Sequence, residues 1–313
     1  MNALRYISPV LILAFIFVTT VVNAQDFLED LSLYPDSYIN KKIHDNPDIN
    51  QYYPFIDGRG NYPNLNAKKE FPKTIALISF YIWNDQLIVT NKSVEDFWKE
   101  TSWIDSVRGN KLASSLNSYS IESIVKRFDS LGTKLITPND FTDAQKEVYK
   151  SLNVTYSKNF RRKSSDSISY ELCSAGNYKF IKISNNKLDV NFINSFEEIA
   201  TLLNVDAVLL IENNVGFDGR LGLINSIRMN LYGFNPMGVD KSNENVKKNK
   251  IGYNNFQLYT SIELEIDAIV SQYNEAKELT YENYIGYDRL LDLMIDNMYI
   301  AYKKRTEIAP KKI

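Results

Sequence analysis

The stretch Val205, Ala207, Val208, Leu209, Leu210 and Ile211 constrains this chain more than any other, because its apolar residues do not alternate with polar ones. A strand with one face in water alternates, so this one is expected to be buried on both faces at the centre of a sheet. Just before it, Phe192, Phe196, Ile199, Ala200 and Leu203 recur at helical spacing, and Asn204 stands where a left-handed residue would end the helix. A helix linked so tightly to a buried strand is half of an α/β layer.

A second apolar run, Thr74 to Trp83, is expected beside the first in a mainly parallel sheet. The helix-then-strand unit also recurs. Ile121, Ile124, Val125, Phe128 and Leu131 make a helical face, Gly132 is the stop, and Lys134-Leu135-Ile136-Thr137 is a short strand. Thr142 with Gln145 forms a capping box for a helix reaching about Leu152. Two alternating segments follow later. Ile227, Met229 and Leu231 oppose Arg228, Asn230 and Tyr232, while Leu258, Ile262, Leu264 and Ile266 oppose Tyr259, Glu263, Glu265 and Asp267. Alternation implies one wet face, hence antiparallel strands at one side of the sheet. A last helix, Asn283 to Arg305, puts Leu291, Met294, Ile295, Met298 and Tyr302 on one face. The expected fold is a layered α/β domain: a mixed sheet with parallel central strands, antiparallel strands at one side, and helices packed on it.

Four segments divide the chain. Residues 1–24 have the form of a secretory signal, with Arg5, an apolar run from Ile7 to Val22, and Val22-Asn23-Ala24 at the cleavage positions. Cleavage would leave Gln25 first, so the lipid-anchor Cys of bacterial lipoproteins is missing there. The apolar run is short of the ~20 residues that span a bilayer, which makes an uncleaved anchor the second reading. Residues 25–72 are an aromatic lead-in interrupted by Pro35, Pro47, Pro54, Pro63 and Pro72. A single α/β domain is expected over 73–305, and 306–313 is a tail. Within the domain, Ser93 caps a helix ahead of Val94, Phe97 and Trp98. Asn153 to Asn177, with Arg161-Arg162-Lys163, is expected as a polar loop, Tyr178 to Ser184 as a third strand, and Gly238 to Asn255 as a hairpin tip.

Composition narrows the functions. With 36 basic and 38 acidic residues and no long run of one sign, the chain has no electrostatic footprint for nucleic acid or an anionic membrane. The single Cys173 and single His44 allow no internal disulfide, no Cys/His metal cluster and no two-histidine metal site. His44 is expected as an exposed imidazole without a role. No cofactor is expected, and the 21 Tyr and 16 Phe suggest contact surfaces as well as core.

Two places could carry chemistry. Glu263, Glu265 and Asp267 share one strand face at spacings of ~6.5 to 7 Å, close enough for an acid/base pair or a hard-cation site. The same carboxylates also suit a solvated strand face, with Arg228 or Lys277 pairing across. After the central strand, Gly216, Gly219, Arg220 and Gly222 could cradle an anion in a loop, although a strand and not a helix follows. Asp57-Gly58-Arg59-Gly60-Asn61-Tyr62-Pro63 begins like a dinucleotide motif, but Pro63 replaces the third glycine and a turn is expected. The motifs of serine hydrolases, P-loops, zincins and EF-hands are missing.

From Thr74 to about Arg305 the chain resembles the periplasmic α/β fold shared by curli-secretion lipoproteins, lipoprotein activators of penicillin-binding proteins and the TolB amino-terminal domain. The likeness lies in Ile75-Ala76-Leu77-Ile78-Ser79-Phe80, in Leu203-Asn204-Val205-Asp206-Ala207-Val208-Leu209-Leu210-Ile211, and in the two amphipathic strands and closing helix that follow. The resemblance implies an exported, non-enzymatic envelope protein that binds other proteins. The alternative is a secreted or periplasmic hydrolase using Glu263, Glu265 or Asp267. A deep cleft lined by these carboxylates favours the hydrolase, and a flat aromatic patch favours the binder.

Overall fold

The computed structural model describes residues 26–45, 71–83, 106–152, 159–161, 167–169, 172–179, 196, 198–218, 220–233, 259–276 and 278–307. The signal-like segment, the Asp57–Pro63 turn, the Ser93 cap, Arg162-Lys163, residues 180–184 and the Gly238–Asn255 tip lie outside them.

Strand β3 (Thr74–Trp83) pairs in parallel with β8 (Ala207–Asp218) on one side and β4 (Lys134–Ile136) on the other. Beyond β8, β9 (Leu221–Gly233) and β10 (Tyr259–Tyr273) are each antiparallel to their neighbour. The apolar run is therefore central, and the sheet is mixed as expected. Parallel pairing is confined to the two neighbours of β3 and the short pairing of Asp26–Phe27 with β10, so the expectation of a mainly parallel sheet does not extend past β8.

The two helix-then-strand units flank β3 and end their helices alike. In the first, α3 (Ser106–Ser130) closes with Thr133 N–H donating to Phe128 O and Gly132 N–H to Asp129 O. In the second, a helix covering 198–202 closes with Val205 N–H to Ala200 O and Asn204 N–H to Thr201 O, with Asn204 at φ 53°. Both are Schellman closures, which turn the chain straight into a strand. Lys134 N–H and Asp206 N–H then reach Lys73 O and Thr74 O. These bonds put both following strands in register on β3.

Helix α3 and the closing helix α5 (Tyr287–Glu307) cover one face of the sheet. Leu116, Ile124 and Phe128 from α3 and Leu291, Met294 and Met298 from α5 form one cluster with Ile75, Leu77, Leu209, Ile211, Met229 and Leu264. Each such side chain contributes about 1.5–3 kcal/mol when fully buried. On the other face α4 (Asp143–Ser151), capped by Thr142 and Gln145, supplies Tyr149 to a smaller cluster. That cluster joins Val208, Leu210 and Tyr232 to Phe196, Ile199 and Leu203.

Three segments depart from the sequence expectations. Residues 26–45 are not a plain extended lead-in. They form β1 (Asp26–Phe27), α1 (Leu28–Leu31), α2 (Asp36–Asn40) and β2 (Ile43–Asp45), and bury Leu28, Leu31 and Ile39 in the main core. These elements are too short to show a period, and Pro35, which looked like a breaker, stands at the N-cap of α2. Strands β1 and β2 pair with the outer edge of β10, next to β11 (Leu279–Glu282), so the edge is covered. Arg289 fastens this strap by donating to Leu31 O, Ser32 O, Tyr34 O and Asp36. Gly286, at φ 91°, lies so close that an added Cβ would stand 2.8 Å from Leu28 O.

The second departure is the expected loop at 153–177, which contains a β5–β6 hairpin (Asn159–Arg161, Ser167–Ser169) and β7 (Leu172–Ser174). β7 pairs with the end of β3 and sets Cys173 opposite Ile82. Tyr178 and Lys179, expected to begin a strand, are irregular. Third, the loop expected after Ile211 is a β-hairpin: β8 runs on to Asp218, and Asp218 pairs with Leu221.

Candidate functional site

On the face away from α3 and α5, the strands change character halfway along. In β8, Val208 and Leu210 are followed on the same face by Glu212 and Asn214; in β9, Tyr232 gives way to Asn230, Arg228 and Ser226. Because neighbouring strands are in register, the polar positions align into rows. One row contains Tyr81, Glu212, Arg228, Glu263 and His44, one residue from each of five adjacent strands.

Within that row Tyr81, Glu212, Arg228 and Glu263 are linked in sequence. The Tyr81 hydroxyl donates to Glu212 Oε2, Arg228 Nη1 lies 3.6 Å from Glu212 Oε1, and Arg228 Nη2 donates to Glu263 Oε2 at 2.9 Å. Tyr81 and Glu212 are buried, and the Arg228 and Glu263 side chains are only 17% and 20% exposed. Burial first, and then the neighbouring Glu212 carboxylate, push the Tyr81 hydroxyl well above its ordinary value. Burial alone would lower the Arg228 guanidinium, but Glu212 and Glu263 outweigh it and hold it up. In the next row Ser261 donates to Asn230 Oδ1 at 2.7 Å.

Where the row reaches the strap, the face opens into a groove of about 560 Å³ that is partly open to solvent. Glu263, Glu265 and Asp267 on β10 line its middle, with Lys41, Lys42 and His44 of the strap beside them on one side. Asn214, Asn225 and Ser226, from β8 and β9, line it on the other side of β10. Asn214 Oδ1 is sealed from water and finds no donor among the described residues. Glu265 is 70% exposed, and its Oε2 lies 3.9 Å from His44 Nε2. The Glu265 N–H donates to Lys42 O at 3.3 Å, so the strap and β10 are stitched together beneath the charges.

The structure thus brings the three sequence-identified carboxylates to one groove but gives them different environments. Glu263 is held by Arg228, one of the two partners expected for that face, whereas Glu265 and Asp267 are exposed. His44 is exposed as expected, with its imidazole at the groove. Among the described residues, no three His, Cys, Asp or Glu side chains converge as metal ligands. The glycine candidates do not form a cradle. Gly216 and Gly222 are in paired strands with their backbone groups committed to the sheet, and Gly216 packs under Asn225. Arg220, at the hairpin turn, pairs with Glu275, and Gly219 lies outside the described residues.

Sequence reasoning missed Glu212, Tyr81, Lys41 and Lys42. Glu212 had a signal, since an acid directly after a buried apolar run and sixteen places before an arginine fits a long hairpin. The lysines had none: nothing local shows that residues 41–45 dock on β10.

A second surface feature lies at the start of α5. Tyr119 and Tyr284 are in ring contact at 6.1 Å, and the exposed Ile285 and Leu33 flank the Gly286–Ser32 approach. Among the described residues, no helix is long and apolar enough to cross a membrane. No protein-family profile, curated protein or solved structure matches the chain.

Proposed function

We propose that this is an exported protein of the cell envelope that works by binding another protein. The observation that carries the reading is the state of the strand carboxylates. The most sheltered of them, Glu263, is neutralised by Arg228, while Glu265 is 70% exposed beside an open groove. A carboxyl that acts as general acid at neutral pH needs shelter from water to keep its proton. Here the sheltered group has a cation and the others have none of that shelter. What remains is a surface of fixed, opposite charges, which suits recognition. Export rests on the signal-like residues 1–24, and the resemblance to binding proteins of the periplasm points the same way.

The hydrolase reading keeps one observation in its favour: three carboxylates line a single groove. One experiment separates the two. The parent and the variant Glu263→Gln, Glu265→Gln, Asp267→Asn are assayed on glycoside, ester and phosphate substrates and crosslinked in the envelope fraction. The binder reading expects no turnover and a captured protein partner. Turnover by the parent that the triple variant loses would establish the hydrolase instead. Intact mass tests export separately: a mature chain beginning at Gln25 is expected, and a membrane-bound species retaining Met1 to Ala24 contradicts it.

A further inference from the structure

The groove is not part of one element. Its carboxylates are on β10 and its lysines on the end of the strap that pairs with β10, so the charge pattern exists only when residues 26–45 are docked. Charges of both signs then sit on neighbouring strands: Arg228 holds Glu263 in one row, with His44 beside it, and Glu265 is in the next row, where Lys42 O takes the Glu265 N–H. Adjacent strands are ~5 Å apart. Side chains two residues apart in an extended chain, ~6.5 to 7 Å, can reach both signs at once.

We infer that this groove docks an extended segment of the partner polypeptide carrying a basic and an acidic side chain at alternate positions, the basic one on Glu265 and Asp267 and the acidic one on Lys41 and Lys42. This rests on the reading of the protein as a binder and names the chemistry it recognises. The size of the groove falls within the ~300–1,000 Å³ of small-ligand sites, but those sites enclose most of their ligand. A partly open groove encloses a small molecule only in part, whereas a chain segment anchored on charges of both signs needs no enclosure. Charge decides against other macromolecules. Glu263, Glu265 and Asp267 repel phosphates, which disfavours nucleic acid and an anionic membrane surface. On the far side of β10 from the strap, Asn225 and Ser226 offer an amide and a hydroxyl to the backbone of the same segment.

The test uses three capped pentapeptides, Gly-Lys-Gly-Glu-Gly, Gly-Lys-Gly-Lys-Gly and Gly-Glu-Gly-Glu-Gly, titrated into the protein and followed by NMR shifts. The mixed peptide is expected to bind at least tenfold more tightly than either single-sign peptide, and to weaken at least tenfold in Glu265→Gln/Asp267→Asn and in Lys41→Gln/Lys42→Gln. Lys41, Glu265 and Asp267 are exposed, and the half-buried Lys42 has its Nζ over the Tyr38 ring at 5.3 Å, so the carboxylate variant is expected to keep the parent's melting temperature and the lysine variant to lose no more than a few degrees. A third variant, Arg289→Ala, leaves every groove charge in place but loosens the strap, and should weaken the mixed peptide as well. Equal binding of the three peptides, or binding unchanged in both double variants, overturns the inference. Crosslinking of the protein partner in the same variants separates this from the broader reading. Capture that survives while peptide binding is absent removes the groove and leaves a binder working elsewhere. A parent that captures nothing removes both.

Discussion

The two faces of the sheet use the same strands differently. Under α3 and α5, alternate residues are apolar along nearly the whole of β8, from Ala207 to Val215, broken only by Asn213, whose Oδ1 accepts from the Tyr287 hydroxyl at 2.6 Å. On the other face the apolar set stops at Leu210. From Glu212 onward it is a bonded polar row that ends in an open groove. The first face supplies core. The second is core at one end and at the other a charged surface, kept in place by buried pairing. A strand can thus hold the fold together with one set of side chains while the alternate set is available to meet a partner.

The largest effect is expected where both faces are apolar. Leu209→Asp puts an unpaired carboxylate against α3 and α5 at a cost of several kcal/mol, comparable to the ~5–15 kcal/mol that hold a domain together. Soluble protein with the parent's melting temperature would show that β8 is not central. Next comes Glu212→Ala, which leaves Arg228 half-buried with Glu263 alone. Breaking one side of a buried pair costs about 3–5 kcal/mol, so chemical denaturation should show a loss of that order. If the loss is below ~1 kcal/mol, the row is ornament to the fold and the two faces differ less than described.

Alkali should act on both faces. Tyr81 and Tyr287 are pushed upward by burial first, Tyr81 also by Glu212, and burial raises Tyr178 to about 12. In the unfolded chain these phenols ionise near ~10, while in the folded chain they keep their protons. Their contribution is full below pH ~10. Above it the native state binds more protons, and stability falls as pH rises. Denaturant midpoints should decline from pH ~10 upward, less steeply in Tyr81→Phe and in Tyr287→Phe. A midpoint flat to pH ~11.5 contradicts the buried placement.

The comparison also explains what could be seen in the sequence. Val205 to Ile211 is apolar on both faces, so no register was needed to recognise it, and the helix stops at Gly132 and Asn204 were equally plain. After Ile211 only one face turns polar, yet Glu212-Asn213-Asn214 with Gly216 resembles a loop when read along the chain. Ile211 and Val215 were the trace of a strand continuing. Glu263, Glu265 and Asp267 were visible because β10 alternates cleanly. Their basic neighbours were not, because Lys41, Lys42 and His44 belong to a segment whose place is set by Arg289 and the edge of β10, contacts some 220 to 260 residues away in sequence.

The most direct measurement is the stability of the groove itself. The variant Lys41→Gln, Lys42→Gln, Glu265→Gln, Asp267→Asn removes three exposed charges and the half-buried Lys42 while keeping shape. Exposed ion pairs contribute about 0–1 kcal/mol, so calorimetry should find the stability of this variant within ~1 kcal/mol of the parent, with partner crosslinking lost. A loss of more than ~3 kcal/mol would mean that the groove charges hold the strap to the sheet and are structural. Unchanged stability with undiminished crosslinking would place the binding surface elsewhere.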